Sequence, residues 1–330
     1  MPPARFAMPV WHPALWSSLL SVFSVYFSHA YDITIAGIVY PRQELSHEVT
    51  SVDVFSWISC LDLRTLAVLT NSTLSSSSHP HDVSFNFLIP EGGNDQLPYY
   101  KLKSVLPADS NITITSQKQI TDKLNVTTPE GNFLWVVRNE LSPIIITTTQ
   151  LSRKRYVYIS ADSIIKGKIE DLVRIDLGNY AIGAAEDCSE RLGDYISIDV
   201  LNVVQRMAPK GLVYSEPYDK NACLLDFDVL LVEPRNLKRN LIPSIAFWSK
   251  VVNVAANQRD RIRLAMTLAF YDNYLKLPPN WKRENANTDI VYYDGPKNVC
   301  SEDDGQHQEK GSGKTWQQYL GQKSEAILST

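Results

Sequence analysis

The sequence predicts an α/β fold, a mostly parallel sheet covered by helices on both faces. Two observations carry this reading. From residue 53 onward, short runs of β-branched and aromatic residues alternate with runs whose apolar residues recur at helical spacing, the pattern of strands joined by crossover helices. In addition, 44% of the 330 residues are hydrophobic and 21% are charged, enough apolar material for one large core or two modest ones.

Taken in order, Val54 to Cys60 reads as a first strand and Leu63 to Leu74 as a helix. Val83 to Ile89 reads as a second strand, closed by a Pro-Glu-Gly-Gly turn. A further helix and a strand through Ile112-Thr113-Ile114-Thr115 follow, then a helix over Asn132–Leu141. Arg155 to Ile159, Tyr180 to Ala184 and Leu224 to Val232 complete the strands, and Ser244 to Val254 gives another helix. No internal repeat is visible.

The first 30 residues point to a compartment. Arg5 precedes an apolar stretch of about 14 residues, Ala14 to Phe27, and Ser28 and Ala30 frame a cleavage site. That stretch is short beside the ~20 residues of a spanning helix, which favours a cleaved signal peptide over a signal anchor; membrane association is expected only if it stays uncleaved. Three acceptor sequons, at Asn71, Asn111 and Asn125, fit a glycoprotein of the secretory pathway, in the Golgi lumen or outside the cell. Four cysteines, Cys60, Cys188, Cys223 and Cys300, allow three disulfide pairings there and show no metal-type C-x-x-C spacing. The expected layout is a leader over 1–30, an extension over 31–52, a folded domain over 53–300 and a polar tail over 301–330. Within the tail, a short helix over 315–327 would dock Trp316 and Tyr319 on the body.

Charge and motifs exclude several functions. A formal charge of −4 and a pI near 5.9 speak against nucleic-acid binding, which draws on an excess of Lys and Arg. The six histidines are scattered, with no zinc-type cluster. No Gly-x-Ser-x-Gly elbow is present, and Gly311 to Thr315 lacks the leading glycine and the preceding strand of a phosphate-binding loop.

Ligands of open α/β sheets bind beyond the carboxyl ends of the strands. There the run Tyr158-Ile159-Ser160-Ala161-Asp162 resembles the Tyr-Leu-Asp-Ser-Asp of the family 8 retaining glycosyltransferases, and the plant galacturonosyltransferase-like group in particular. Cys60-Leu61-Asp62 resembles that family's Thr-Leu-Asp. Ala184 to Cys188 resembles Ala-Ala-Pro-Glu-Tyr-Cys, and Cys223 to Val229 resembles Cys-Tyr-Phe-Asn-Thr-Gly-Val. Val291 to Lys297 resembles Leu-His-Trp-Ser-Gly with its following Lys.

The resemblance implies a GT-A-like fold and a UDP-sugar donor, with hexosyl or galacturonosyl transfer to a cell-wall polysaccharide or glycan acceptor. It implies a Cys188–Cys223 disulfide, against two buried free thiols. Asp62 would touch the nucleotide, Asp162 would hold Mn²⁺ with Tyr292 in place of the family's His, Lys297 would meet the diphosphate, and Asp226 would orient the donor sugar as the catalytic-site carboxylate. Two carboxylates two residues apart on a strand-to-loop turn grip a hard cation; here Ser160 replaces the first of them. Phe227 and Asp228 stand where the family has small residues and would narrow the sugar site. Because these departures fall on one site, a non-catalytic scaffold, a partner subunit or sugar-binding module, stands as the alternative. Read without the resemblance, Asp162 is a turn former and Asp226 a strand-end residue.

Overall fold

The computed structural model describes residues 51–58, 61–90, 96–117, 154–209, 211–238, 240–252, 258–282, 288–295 and 315–329. Every described residue lies in the unit Ile38–Thr330. The leader, Cys60, Asn125, the Asn132–Leu141 helix, Lys297 and Cys300 lie outside the described residues. No helix among the described residues is long and apolar enough to cross a membrane.

Among the described residues, seven strands form one sheet: β1 (Val52–Trp57), β2 (Val83–Ile89), β3 (Asn111–Ser116), β4 (Tyr156–Ile159), β6 (Ile182–Arg191), β7 (Cys223–Val232) and β8 (Leu275–Lys276). Their spatial order is β3-β2-β1-β4-β7-β6-β8. Strands β3, β2, β1 and β4 run parallel, as the alternation with helices requires, whereas β7 is antiparallel to both β4 and β6. A separate two-stranded ladder pairs β5 (Ser163–Ile165) with β9 (Ile290–Tyr292).

The core sits on both faces of this sheet because strand side chains alternate. Val157 and Ile159 of β4 join one apolar cluster with Val54, Phe85 and Phe87; Tyr156 and Tyr158 join a second with Phe55 and Trp57. Helix α1 (Leu63–Ser76) packs into the first cluster through Leu66, Ala67 and Leu69, all fully buried. Helices α6 (Leu241–Val252) and α7 (Gln258–Ala269) cover the second with Ile245, Ile262 and Met266. Helix α2 (Gln96–Val105) precedes β3, α3 (Ile169–Val173) follows β5, and α4 (Leu192–Tyr195) and α5 (Ile198–Met207) fill the connection from β6 to β7.

The last described segment is part of this core. Its 3₁₀ turn Thr315–Gln318 and helix α8 (Gln322–Leu328) bury Trp316, Leu320 and Leu328 in the first cluster. Asp294 caps the turn by accepting from the backbone N–H of Thr315 and Trp316, both at 3.1 Å. The Asn71 side-chain amide donates to the Tyr319 carbonyl at 2.7 Å, so this sequon lies on a helix held against the tail.

Candidate active site

The ends of β1 and β4 lie side by side in parallel, and this edge, where open α/β sheets place their ligand crevice, is the candidate site. Ser160 leaves β4 and donates its backbone N–H to the Asp228 carbonyl at 2.8 Å; its hydroxyl donates to Asp162 Oδ1 at 2.5 Å. Asp162 is exposed, and its carbonyl accepts from the Tyr293 N–H at 2.6 Å. The register sets Ser163 opposite Tyr292, which is 55% exposed. Asp162 and Tyr292, far apart in the sequence, therefore come to the same end of this short ladder.

On the β7 side, Leu230 pairs with Ala184 while Asp226 pairs with Ala185, so residues 227–229 bulge out of the β6 ladder. The half-buried Asp226 carboxylate accepts from the Asp228 N–H at 2.9 Å, which folds the bulge back toward Ser160. Phe227 packs against the second apolar cluster.

Asp62 stands beyond β1 as the N-cap of α1, buried, with both oxygens engaged by Arg64. The bonds to Asp62 raise the Arg64 pKa above its usual value. Nearby, burial raises the Tyr293 phenol far above its usual value, and the Arg64 charge only partly offsets this. Tyr293 thus links the two strand ends: its backbone N–H holds the Asp162 carbonyl, and its phenol is close enough to Asp62 and Arg64 for their charges to act on it.

A second polar network, which the sequence reading did not single out, braces the end of β6. Arg263 of α7 donates to the Leu225 carbonyl at 3.0 Å, to Asp187 at 3.0 Å and to Glu190. Lys282 reaches Asp187 at 3.2 Å, Lys276 pairs with Glu186 at 2.6 Å, and the Tyr274 hydroxyl donates to Glu186 at 2.6 Å. Burial pushes the Asp187 carboxyl up, but bonds from Ser189, Arg263 and Lys282 outweigh it and hold the group well below the usual range. The Cys188–Cys223 disulfide closes the same end of the β6–β7 pair, as the family resemblance implies.

The donor set bears on a cation. Among the described residues, three groups of metal-ligating type come within 4.8 Å of one another only at Glu186, Cys188 and Cys223, and there the two sulfurs are bonded to each other. At this turn the Asp162 carboxylate accepts from the Ser160 hydroxyl, and the Asp228 backbone lies against Ser160.

With sheet and crevice in view, the chain can be set beside known proteins. No family model and no curated protein matches it. The galactosyltransferase LgtC in complex with donor and acceptor sugar analogs superposes with a TM-score of 0.53 at 13% identity, over 84% of this chain and 97% of that one. An active-site mutant of LgtC gives 0.52 at 13% identity, over 81% and 94%. The glycosyltransferase GlyE of Streptococcus pneumoniae TIGR4 gives 0.50 at 12% identity, over 85% of this chain but only 62% of GlyE. The chain has the GT-A fold. This settles the expected architecture, a mostly parallel sheet covered by helices on both faces.

Proposed function

We propose that the crevice binds a nucleotide sugar and that the chain transfers the sugar to a glycan acceptor in the secretory pathway. The observation that supports this best is the Ser160–Asp162 turn, tied to Asp228 on one side and to Tyr293 on the other at the carboxyl ends of the strands. GT-A sheets that superpose on this one include a galactosyltransferase solved with donor and acceptor sugar analogs. The finer reading, a UDP-hexose or UDP-galacturonate donor and retention at the anomeric carbon, rests on the family resemblance.

Asp162 would be the protein's carboxylate ligand to a divalent cation such as Mn²⁺, with Tyr292 alongside. A cation there neutralises charge that builds on a departing diphosphate. Asp226, held at the neck of the β7 bulge, would accept hydroxyls of the donor sugar, and Asp62 would stay near the nucleotide through Arg64.

A second reading, a non-catalytic partner subunit, is favoured by one observation: the carboxylates are already committed, Asp62 to Arg64 and Asp162 to the Ser160 hydroxyl. Calorimetric titration with UDP, with and without Mn²⁺, separates the two. Binding that Mn²⁺ tightens, and that Asp162→Ala loses, supports the transferase. No binding in either condition, with affinity regained on Ser160→Asp and Tyr292→His together, supports the subunit.

A further inference from the structure

We infer that Asn111 carries an N-linked glycan at the end of the sheet remote from the crevice. Asn111 opens β3, the last strand on its side of the sheet among the described residues. Successive strand residues point to opposite faces, so Asn111 and Thr113, the two residues a sequon needs, share one face of β3; both are exposed while Ile112 between them is buried. The adjacent positions of β2 on that level are Ser84, paired with Asn111, and Asn86, paired with Thr113. This corner of the sheet is therefore polar and open, although both faces of the inner strands are covered by apolar side chains.

The Asn111 amide nitrogen donates to the Ser84 hydroxyl at 2.7 Å. A glycosylated amide keeps one N–H, so this bond survives the modification. In the transfer, a bond forms between Nδ2 and the anomeric carbon of an oligosaccharide carried on a polyprenyl diphosphate. The amide gives up one proton, and the diphosphate leaves with the bonding electrons of the broken C–O bond. Asn111 lies level with Ser84 and Asp53 at the amino ends of parallel strands, whereas the crevice lies past their carboxyl ends. A glycan there leaves the carboxyl ends of these strands clear.

Asn71 is a different environment. Its amide is bonded to the tail, and Ser72 and Thr73 are fully buried, with the Thr73 hydroxyl donating inside α1 to the Leu69 carbonyl.

Entry of the chain into a glycosylating lumen is part of the inference, which does not depend on transferase activity. The full chain, translated in the presence of microsomes, is compared with Asn111→Gln and with Thr113→Ala, which keeps Asn111 and its bond to Ser84. The expected result is that protease-protected chain loses one mobility step in each variant, and that glycosidase release converts Asn111 to Asp by mass spectrometry. Protected chain with Asn111 unmodified, or a chain that remains outside the microsomes, overturns the inference.

Discussion

Arg64 grips both oxygens of Asp62, Nε to Oδ1 at 2.9 Å and Nη2 to Oδ2 at 2.7 Å, with the two side chains only 7% and 2% exposed. Removing one member of a buried pair strands the other charge, at a cost of about 3–5 kcal/mol. Glu325, 3.6 Å from Arg64 Nη1, would retain part of the compensation, so Asp62→Ala should fall near the lower figure. Joint replacement, Asp62→Leu with Arg64→Met, should cost less than the single change. Denaturant unfolding of the three proteins checks this, and a double variant weaker than Asp62→Ala would contradict it.

The acid end of the stability profile should be set by the β6 network. Burial pushes Asp187 and Glu186 up, but bonds from Ser189, Arg263 and Lys282 to the first and from Lys276 and Tyr274 to the second hold both below their ordinary values of 3.8 and 4.5. A carboxylate depressed in the folded state contributes stability that is complete above its unfolded value and is lost as pH falls through the folded one. Melting temperature should therefore hold from neutrality down to about pH 5 and fall progressively below it. Arg263→Met should flatten that fall while lowering stability at neutral pH. Thermal melts across the range read both effects, and an unchanged acid slope in the variant would count against the network.

The Cys188–Cys223 bond closes a loop with a sequence separation of 35 residues, and the loop-entropy estimate for such a closure is about 3–4 kcal/mol. Cys188→Ser with Cys223→Ser should lose roughly that much stability. A reductant should lower the melting temperature of the parent protein by more than that of the double variant, which lacks this bond. The comparison of the two proteins with and without dithiothreitol isolates the bond.

Which features could be read from sequence follows from how local their causes are. Strand β2 was legible to the residue, because Val83 to Ile89 alternates within itself and a turn follows. The Ser160–Asp162 turn was legible from its place after a compact strand. The Arg263 network was not: Asp187 and Glu190 lie 76 and 73 positions away, and nothing near Arg263 marks it. Tyr293 escaped for a related reason. Sequence reasoning placed weight on Tyr292 by motif position, whereas the register alone shows that its neighbour holds the Asp162 backbone.

Tyr293 also explains a glycine. A Cβ built on Gly295 would fall on Cζ and the hydroxyl of the Tyr293 ring, which is packed against the core near Trp316, with ring centroids 6.2 Å apart. Gly295→Ala should therefore displace the ring and loosen the N–H that fixes the Asp162 carbonyl, an overpacking cost of about 1–3 kcal/mol. The buried Tyr293 hydroxyl finds no hydrogen-bond partner among the described residues, so Tyr293→Phe should be neutral or stabilising by about 1 kcal/mol. If the clash carries the effect, Gly295→Ala should cost much less on a Tyr293→Leu background than on the parent. Unfolding free energies of the parent, both single variants and the double give the coupling, and strictly additive values would show that ring and glycine act independently.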